Sequence, residues 1–297
     1  MLVKDLVVTA PAKVNLYLGV GALRPDGYHA VSTVMHALEL ADTVRMRPAD
    51  ELTLTCDVEL GVSAEHNLAF KAARAFSEAY GVDVLVDIAI EKRIPAGAGL
   101  GGGSSDAAAV LAGLAHWAEL PLDHPPLVRV ARSLGADCAF LLLQSPALMR
   151  GRGDDFVRSV TPVAAHLALV KPSAPVATAE AYRAFDENPL PVGAASGVGD
   201  AMRFQDLKAL GAALRNNMTA ASEMLVPEIA DVRAWLGDQD RVLGVAMAGS
   251  GSAVFALFAD AEDAQKVADG AAQRGWWSAA TRLRASGVAV RESGAGA

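Results

Sequence analysis

A run of glycine and other small residues between Ile94 and Asp106 is the stretch of the sequence best suited to chemistry. It reads Ile-Pro-Ala-Gly-Ala-Gly-Leu-Gly-Gly-Gly-Ser-Ser-Asp. Such residues let the backbone take positive φ values and approach a ligand closely. The run lies between a β-prone segment, 84–90, and an alanine-rich helix predicted over 107–119. Backbone N–H groups and the positive end of the helix dipole would then converge, which predicts a phosphate-binding site.

Two common phosphate-binding loops do not match this run. A Walker A loop requires a lysine directly before its Ser or Thr, whereas Gly103 precedes Ser104. A dinucleotide fingerprint requires an acidic residue about 20 positions further on, at the end of a second strand. Asp123 instead lies in a proline-rich segment. The residues themselves leave a flexible turn before a helix as the alternative, although Leu100 is untypical of a flexible linker.

Composition restricts what the protein can bind. Hydrophobic residues make up 52% of the 297 residues and charged residues 20%, which is typical of a folded protein. A net charge of −8 predicts neither a nucleic-acid-binding nor an anionic-membrane-binding surface. An acidic protein must therefore hold a polyphosphate with backbone N–H groups and a few placed cations. The two cysteines, Cys56 and Cys138, are predicted to be reduced core thiols, since no spacing suggests a zinc site.

The N-terminal segment is a poor match to a signal peptide, because Lys4, Asp5 and Lys13 interrupt its apolar residues. A transmembrane helix needs about 18 uninterrupted apolar residues, and the sequence has no such stretch. The positive mean hydropathy of +0.27 reflects abundant alanine and valine. We therefore predict a cytoplasmic protein.

The elements that must position these residues alternate without a regular βαβ rhythm, which predicts an α+β fold with two lobes. Pro11 is expected to separate two strands because proline cannot donate to a central ladder. The predicted strands cover residues 6–10, 14–20, 43–47, 52–56, 84–90, 139–143, 147–149, 167–170, 242–247, 253–258 and 281–290. The predicted helices cover residues 68–80, 107–119, 127–134, 207–218, 229–236 and 261–274. A turn at 24–29, a long loop at 188–199 and a disordered tail at 292–297 complete the prediction.

The glycine run resembles the second, phosphate-binding motif of the GHMP kinases, a family that includes galactokinases, homoserine kinases and mevalonate kinases. Two further motifs follow that family's order. Pro-Ala-Lys-Val-Asn-Leu at 11–16 resembles the first motif, and Ala-Gly-Ser-Gly-Ser at 248–252 resembles the third. From its residues alone, the last segment is equally compatible with a hairpin turn. Three motifs in order, spread over nearly the whole chain, identify the sequence as similar to this family.

Four short segments are most similar to the GHMP kinases that act on a cytidine diphosphate-linked methylerythritol. They are Pro-Asp-Gly-Tyr-His at 25–29, Asn-Leu at 67–68, Glu-Lys-Arg-Ile-Pro at 91–95 and Gly-Ala-Asp-Cys at 135–138. The resemblance implies ATP-dependent phosphorylation of the 2-hydroxyl of that alcohol, in non-mevalonate isoprenoid biosynthesis, with ATP and Mg²⁺ as cofactors. The alternatives are a GHMP kinase of another small alcohol, such as a sugar or mevalonate derivative, and a catalytically silent nucleotide-binding regulator.

The same resemblance implies a two-lobed GHMP kinase fold. Its N-terminal lobe, residues 1–160, would resemble the second domain of ribosomal protein S5 and carry the ATP phosphate loop. Its C-terminal lobe, residues 161–297, would be ferredoxin-like. The active site is expected between the lobes, and either a monomer or a homodimer is compatible with the sequence.

Lys13 and Asp137 match the catalytic pair of the family. Phosphoryl transfer depends on positioning and charge neutralisation, a carboxylate can take the proton of the acceptor hydroxyl, and a cation can stabilise the transferring group. The resemblance implies that Asp137 is the general base and Lys13 the charge stabiliser. Without it, the residues favour a surface lysine at Lys13 and a helix-end carboxylate at Asp137, because no spacing rule brings positions so far apart together.

The resemblance also implies the binding residues. The acceptor-binding positions are Asn15, Tyr28, His29, Thr178 and Tyr182, with Tyr28 stacking on cytosine and Tyr182 either on its other face or in the core. The ATP-binding positions are Asn67, Leu68, Lys92, Pro95, Ala96, Gly97, Ala98, Gly99, Leu100, Gly101, Gly102, Gly103, Ser104 and Ser105. Ser104 and Ser105 are suited to phosphate contact, and Ser105 to Mg²⁺, although both also favour a helix N-terminus.

The sequence departs from the family's pattern at three places. His66 stands where a charged residue is common before Asn-Leu, Ala98 replaces a glycine of the second motif, and Ser252-Ala253 replaces Pro-Thr or Pro-Ser after the third. None of these changes removes a group that the chemistry needs, but they make the nucleotide contacts less well defined than the catalytic pair.

Overall fold

A computed structural model of the chain describes residues 4–59 and 61–293, which form an α+β fold. Its strands are β1 Leu6–Leu23, β2 His29–Pro48, β3 Thr53–Cys56, β4 Val86–Glu91, β5 Ala147–Arg150, β6 Asp155–Ser159, β7 His166–Lys171, β8 Arg215–Asn216, β9 Gly244–Met247, β10 Val254–Phe258, β11 Trp277–Arg284 and β12 Ala289–Glu292. Its α-helices are α1 Leu68–Tyr80, α2 Gly102–Trp117, α3 Pro125–Leu134, α4 Ala136–Leu142, α5 Thr178–Glu187, α6 Ser196–Arg203, α7 Leu207–Ala213, α8 Thr219–Leu225, α9 Glu228–Gly237 and α10 Ala261–Gln273.

The strands join into one continuous sheet with the central order β12-β1-β2-β11-β7-β10-β9. β3, β4, β5 and β6 extend it on the side of β2, and β8 pairs with β1. The first lobe is formed by β1 to β6 with helices α1 to α4, and the second contains β7, β9, β10 and β11 with helices α5 to α10. A short antiparallel pairing of β11 with β2, at Leu283–Leu38 and Arg284–Ala37, connects the two lobes. This arrangement confirms the predicted α+β class with two lobes.

The first strand is continuous, so the prediction of two strands separated at Pro11 was wrong. β1 runs from Leu6 to Leu23, and Pro11 lies opposite Ala41 of β2. The register of the pair shifts between Pro11 and Lys13. Because proline falls where the ladder is already irregular, its missing N–H group does not end the strand.

The segment predicted as a strand at 139–143 is instead part of the helix α4, Ala136–Leu142. Residues Cys138 to Leu142 of this helix are all buried. A short apolar run that is buried on every side has no periodicity that distinguishes a helix from a strand. The correction matters for the site, because Asp137 lies in the first turn of this helix.

Three further predictions differ from the structure in the last third or so of the chain. The strand predicted at 281–290 is divided between β11 and β12, and the helix predicted at 207–218 ends at Ala213. The loop predicted at 188–199 already contains the start of α6 at Ser196. The disordered tail predicted at 292–297 lies mostly outside the described residues, since only Glu292, in β12, and Ser293 are described.

Helix α2 is the central helix of the first lobe. Its residues from Ser105 to Ala115 are all buried, between β1 and β2 on one side and the helices α1, α3 and α4 on the other. Small side chains are needed for such close packing, and a Cβ atom on Gly113 would overlap the sulfur of Met46. The alanine-rich sequence therefore fixes the N-terminus of α2 rigidly behind the glycine run. None of the described helices is long and apolar enough to cross a membrane.

Candidate active site

A cavity of about 570 Å³ brings the three sequence motifs together between the lobes. Its walls come from the middle of β1, the glycine run, the start of α4, the start of α5 and the loop between β9 and β10. Both Lys13 and Asp137 line it, although 124 residues separate them in the sequence (137 − 13). The cavity has two ends, which we name the donor end, formed by the glycine run and residues 66–68, and the acceptor end, formed by Thr178, Tyr182 and Arg152.

The glycine run forms a tight loop at the N-terminus of α2. Gly97, Gly99 and Gly101 have φ values of +63°, +73° and +75°, a conformation that residues with a Cβ atom rarely adopt. A Cβ atom on Gly99 would also overlap the carbonyl oxygen of Ala248. Glycine is therefore required at position 99 both by the backbone conformation and by the close approach of another loop.

That other loop is the third motif, which connects β9 to β10. The N–H groups of Ser252 and Ala253 donate to the carbonyl oxygens of Gly97 and Ala98, at 3.3 and 3.1 Å. The side chain of Asn216 donates to the carbonyl of Gly249 at 2.7 Å. The segment is thus both a connection between antiparallel strands and a support for the glycine run, so the two interpretations of its sequence are compatible.

Lys13 and Asp137 form the ion pair at the middle of the cavity. Lys13 Nζ lies 3.3 Å from Asp137 Oδ2, with 4% of the lysine side chain and 27% of the aspartate side chain exposed. The backbone N–H of Lys13 donates to the carbonyl of Leu100 at 2.9 Å. The first and second motifs are therefore joined directly, and the aspartate keeps access to the cavity while the lysine is almost fully enclosed.

Asn15 supports this pair. Its Oδ1 atom accepts from Lys13 Nζ at 2.9 Å and from the N–H of Gly249 at 3.1 Å, and its Nδ2 atom donates to Thr33 Oγ1 at 2.8 Å. Asn15 lines the cavity and also orients Lys13 and the third motif. Its contact with the acceptor stays a prediction.

Lys92 belongs to a buried cluster with Asp42 and Asp106 at the base of the donor end. It pairs with Asp42 and, at 2.7 Å, with Asp106, and 8% of its side chain is exposed. Asp42 also accepts the backbone N–H groups of Arg93 and Ile94, at 2.6 and 2.8 Å. The cluster therefore ties the chain entering the glycine run to the helix that leaves it.

The charges of this cluster do not cancel, because one lysine faces two carboxylates. Burial raises the pKa of Asp106 to about 7, with Lys92 opposing the rise and Asp42 adding to it. Burial lowers the pKa of Lys92, but the two carboxylates more than offset this, so its pKa is raised. Lys92 is therefore protonated and lines the cavity, but the carboxylates of Asp42 and Asp106 balance its positive charge. Asp42 was missed from the sequence, because no spacing rule relates residues 50 positions apart (92 − 42), and Asp106 was recognised only as the end of the glycine run.

The two serines at the start of α2 have different positions. Ser104 lines the cavity. Ser105 is fully buried, and its hydroxyl donates to the carbonyl of Pro11 at 2.8 Å. The predicted contact of Ser105 with phosphate or Mg²⁺ does not fit this geometry and needs correction, because its hydroxyl faces the first motif. Ser104 is the serine that can contact a bound phosphate.

Residues 66–68 form the outer wall of the donor end. Asn67 is the N-cap of α1, and its Oδ1 atom accepts the N–H of Ala69 at 2.9 Å. His66, Asn67 and Leu68 all line the cavity. The nucleotide contact of Asn67 and Leu68 stays a prediction, and capping the helix already uses one polar atom of Asn67.

The acceptor end is lined by Thr178 and Tyr182 of helix α5 and by Arg152, and His29, the first residue of β2, packs against Tyr182 without lining the cavity itself. Burial raises the pKa of Tyr182 to about 12, and nearby Asp137 adds to the rise, so its hydroxyl stays protonated. The ring of His29 lies 5.0 Å from that of Tyr182, and His29 Nε2 lies 3.4 Å from a carboxylate oxygen of Asp186. Thr178 lines the cavity and shares a hydrogen bond of 3.0 Å with Ser250.

Tyr28 is 54% exposed and lies at the rim, outside the cavity lining, whereas the sequence predicted a ring stacked on a base. The guanidinium carbon of Arg152 lies 4.8 Å from the centroid of its ring, and Arg152 itself lines the cavity. Arg152 was missed because it stands in a short turn between β5 and β6 with no recognisable motif. Only the fold brings that turn beside Tyr28.

Comparison with known proteins agrees with this geometry. The model of the GHMP kinase N-terminal domain matches residues 67–145, and that of the GHMP kinase C-terminal domain matches residues 198–275. A 4-diphosphocytidyl-2-C-methyl-D-erythritol kinase of Pelotomaculum thermopropionicum is 39% identical over 268 residues, covering 89% of this chain and 93% of that protein. One from Exiguobacterium sibiricum is 36% identical over 273 residues, with the same coverage of 89% and 93%.

Solved structures have the same architecture. A crystal structure of a 4-(cytidine 5'-diphospho)-2C-methyl-D-erythritol kinase matches with a TM-score of 0.76 and 36% identity, covering 93% of this chain and 98% of that one. A homoserine kinase from Cytophaga hutchinsonii matches with a TM-score of 0.73 and 20% identity, covering 98% of both chains. The second likeness supports the fold alone.

The fold, the three assembled motifs and the family models define an ATP-dependent kinase of the GHMP class. With relatives at 36% to 39% identity over about nine-tenths of its length, the chain belongs to the 4-diphosphocytidyl-2-C-methyl-D-erythritol kinase family. The family resemblance and the two-lobed GHMP fold predicted from the sequence are thereby confirmed. A role as a kinase with a small-molecule substrate in isoprenoid biosynthesis follows from that membership.

Proposed function

We propose that the protein transfers the γ-phosphoryl group of ATP to the 2-hydroxyl of 4-diphosphocytidyl-2-C-methyl-D-erythritol. The observation that carries this proposal is the Lys13–Asp137 pair, with 3.3 Å between Nζ and Oδ2, in a cavity that has the glycine run at one end and Thr178, Tyr182 and Arg152 at the other. The names of the relatives supply the acceptor. We further propose that residues 1–160 form the N-terminal domain with the ATP phosphate loop and residues 161–297 the C-terminal domain, with both domains contributing to the acceptor end.

In this mechanism the phosphates of ATP lie against the glycine run at the N-terminus of α2. Backbone N–H groups and the helix dipole then supply positive potential without an excess of cationic side chains. Lys92 adds little net charge, because Asp42 and Asp106 neutralise it. The rigid packing of α2 keeps this surface in place, which suits a reaction whose catalysis depends mainly on positioning.

Asp137 acts on the acceptor. Its exposed carboxylate oxygen accepts the proton of the 2-hydroxyl while the new O–P bond forms and the bond between Pγ and the β–γ bridging oxygen breaks, so that ADP leaves. Lys13 lies beside the same carboxylate and stabilises the negative charge of the transferring group. Asn15 holds the ammonium group at 2.9 Å, so that it need not reorganise during the reaction.

Mg²⁺ would be held mainly by ATP phosphate oxygens and water, with few protein ligands. The oxygen donors at this place are consistent with that: Ser104 lines the cavity, and Asp106 Oδ1 is a buried oxygen with no hydrogen-bond partner among the described residues. When bound, the ion would neutralise part of the phosphate charge. The described residues contain no cluster of three or more His, Cys, Asp or Glu side chains suited to a metal.

The test is an assay of ADP release by the purified protein, with 4-diphosphocytidyl-2-C-methyl-D-erythritol, homoserine, mevalonate and galactose as acceptors. The proposal predicts turnover of the cytidine-linked alcohol and a phosphorus NMR signal for a new phosphate monoester. Equal kcat/KM for an alcohol that lacks cytidine would support another GHMP kinase activity. ATP binding without turnover of any acceptor would support a nucleotide-binding regulator.

A further inference from the structure

The acceptor in the proposed reaction carries a diphosphate, and the cavity must neutralise it at the acceptor end. Both lysines in the described cavity lining are already paired: Lys13 with Asp137, and Lys92 with Asp42 and Asp106. The chain as a whole has a net charge of −8. A phosphate group next to Thr178 and Tyr182 therefore needs another cation, placed away from the donor end.

Arg152 is in the right place. It lines the cavity from the turn between β5 and β6. A Cβ atom on its neighbour Gly153 would lie 3.6 Å from the Cβ of Ala136, the residue before Asp137. The carbonyl of Gly151 accepts the N–H of Val31 at 2.8 Å, which fixes the turn to β2. The turn that carries Arg152 is thus anchored beside the start of the helix that carries the proposed base.

The side chain is also preorganised. Its Nε and Nη2 atoms donate to the buried carboxylate of Asp154 at 3.3 and 2.9 Å, and Nη2 lies 3.4 Å from the carbonyl of Arg132. The ring of Tyr28 covers one face of the guanidinium group, with 4.8 Å between Cζ and the ring centroid. Nη1 takes no part in these bonds to Asp154 and Arg132. A fixed guanidinium group with one nitrogen still available is well suited to a phosphate oxygen.

We infer that Arg152 binds the diphosphate of the acceptor and so determines specificity for a cytidine diphosphate-linked alcohol, an inference that rests on the proposed function. In that position it would fix the distance between the diphosphate and the hydroxyl facing Asp137. Tyr28 would then contact two groups: one face of its ring covers the guanidinium group of Arg152, and the rest of the ring can contact the cytosine. Asp154 is a positioning residue, because it acts on the substrate only through Arg152.

The test compares Arg152→Met, which keeps much of the side-chain length but no charge, with Arg152→Lys and with Arg150→Met. Arg150 is exposed in the same hairpin and does not line the cavity, so its variant is the matched control. Binding of cytidine 5'-diphosphate and of cytidine is measured by titration calorimetry. KM for the acceptor and KM for ATP are measured by ADP release.

We expect Arg152→Met to weaken cytidine 5'-diphosphate binding and to raise the acceptor KM about 10- to 100-fold, the effect of losing one charge-assisted contact. Cytidine binding and the ATP KM should change less than twofold, and Arg152→Lys should recover part of the loss. An Arg152→Met protein that binds cytidine 5'-diphosphate like the wild type overturns the inference. So does an equal loss for cytidine and its diphosphate in both Arg152 variants, which would indicate a structural role.

The experiments give a different result if the proposed function itself is wrong. A wild-type protein that turns over no cytidine-linked alcohol would contradict that function regardless of any Arg152 variant. Full wild-type turnover with an unchanged acceptor KM in Arg152→Met would contradict only the assignment of Arg152. Arg152→Lys keeps the charge paired with Asp154, so it also provides the comparison if Arg152→Met is unstable.

Discussion

The two ends of the cavity are built by different means. The donor end is mostly backbone, with three glycines in the left-handed region, a helix N-terminus and a lysine whose charge is neutralised by two buried carboxylates. The acceptor end is mostly side chains, which come from the turn before β2, the turn after β5 and helix α5. A backbone site tolerates little change but fits any polyphosphate, whereas a side-chain site can be altered one residue at a time. We therefore expect substrate specificity to be set at the acceptor end.

The sharpest test of this division is the residue at which the two ends meet. Asp137→Asn removes the proposed base and keeps the side-chain volume, so kcat should fall about 10²- to 10⁴-fold. Binding of ATP and of cytidine 5'-diphosphate should remain within a few-fold of wild type, because both ends stay intact. Stopped-time ADP release and calorimetry provide the two measurements, and Asp50→Asn, at an exposed aspartate, is the control. Unchanged kcat in Asp137→Asn would rule out the mechanism.

Replacing one glycine at each end with alanine tests whether the two ends differ in how well they tolerate a substitution. Gly99→Ala combines a φ of +73° with overlap of the Ala248 carbonyl, so it should lower the free energy of unfolding by about 3 kcal/mol and raise the ATP KM. Gly27 is the matched control at the acceptor end. It has a φ of +81° but no atom within 4 Å of its added Cβ, so Gly27→Ala should cost about 1 kcal/mol. Urea unfolding measures both, and equal losses would mean that close approach to Ala248 contributes nothing.

A pH test addresses the strand that both ends share. His36 lies on β2 between Thr33, at the acceptor end, and Asp42, at the donor end, and it is fully buried. Burial lowers its pKa to about 4 from 6.5, against small opposing effects of the carbonyl oxygens of Ala37 and Arg284. The unfolded chain then binds an extra proton between these values, so stability present above pH 6.5 is lost as the pH falls through about 4.

The expected loss is about 3 kcal/mol for the full shift of the His36 pKa, and His36→Gln should remove that part of the pH dependence. Urea unfolding between pH 4 and pH 7.5 measures it, with His166→Gln as the control, since His166 is half-buried at the start of β7 in the other lobe. An identical slope in wild type and His36→Gln would show that His36 is not held neutral in the folded state.

The smallest effect is expected at the rim. Tyr28→Ala removes the ring that we propose to hold Arg152 and the base, and it should raise the acceptor KM about tenfold, with the ATP KM unchanged. Tyr28→Phe should retain most of the affinity, since it keeps the ring face. The same ADP-release assay measures both variants. A change in the ATP KM would contradict the separation of the two ends.

The sequence predicted the donor end far better than the acceptor end, for a physical reason. A glycine run before a helix is contiguous, and its φ requirements are visible in the residue types. Lys13 and Asp137 could be paired only through the family resemblance, because the contact depends on the packing of α4 against the sheet. Arg152 and Asp42 had no local signal at all. Their roles arise from strand pairing and from a turn that folding places beside Tyr28.

Elements of the fold follow the same rule. Helix α1 was predicted with correct bounds, since Asn67 caps its start and Gly81, at a φ of +64°, ends it. The strand at Pro11 and the helix α4 were predicted incorrectly, because a register shift and burial on every side decide them, and neither can be recognised locally. Residues that cap a helix can be recognised in the sequence, but the effects of distant strand pairing and burial cannot.

The last strand of the fold has a consequence for how the protein is made. β12, at Ala289–Glu292, pairs with Leu6–Thr9 at the start of β1, so during synthesis this part of β1 waits for a neighbour that is made much later. Until then that edge of β1 presents unpaired N–H and C=O groups to other chains. A chain that stops before Ala289 would keep every residue of the cavity and still lack the strand that closes this edge. We expect such a truncated product to aggregate more readily than the full chain.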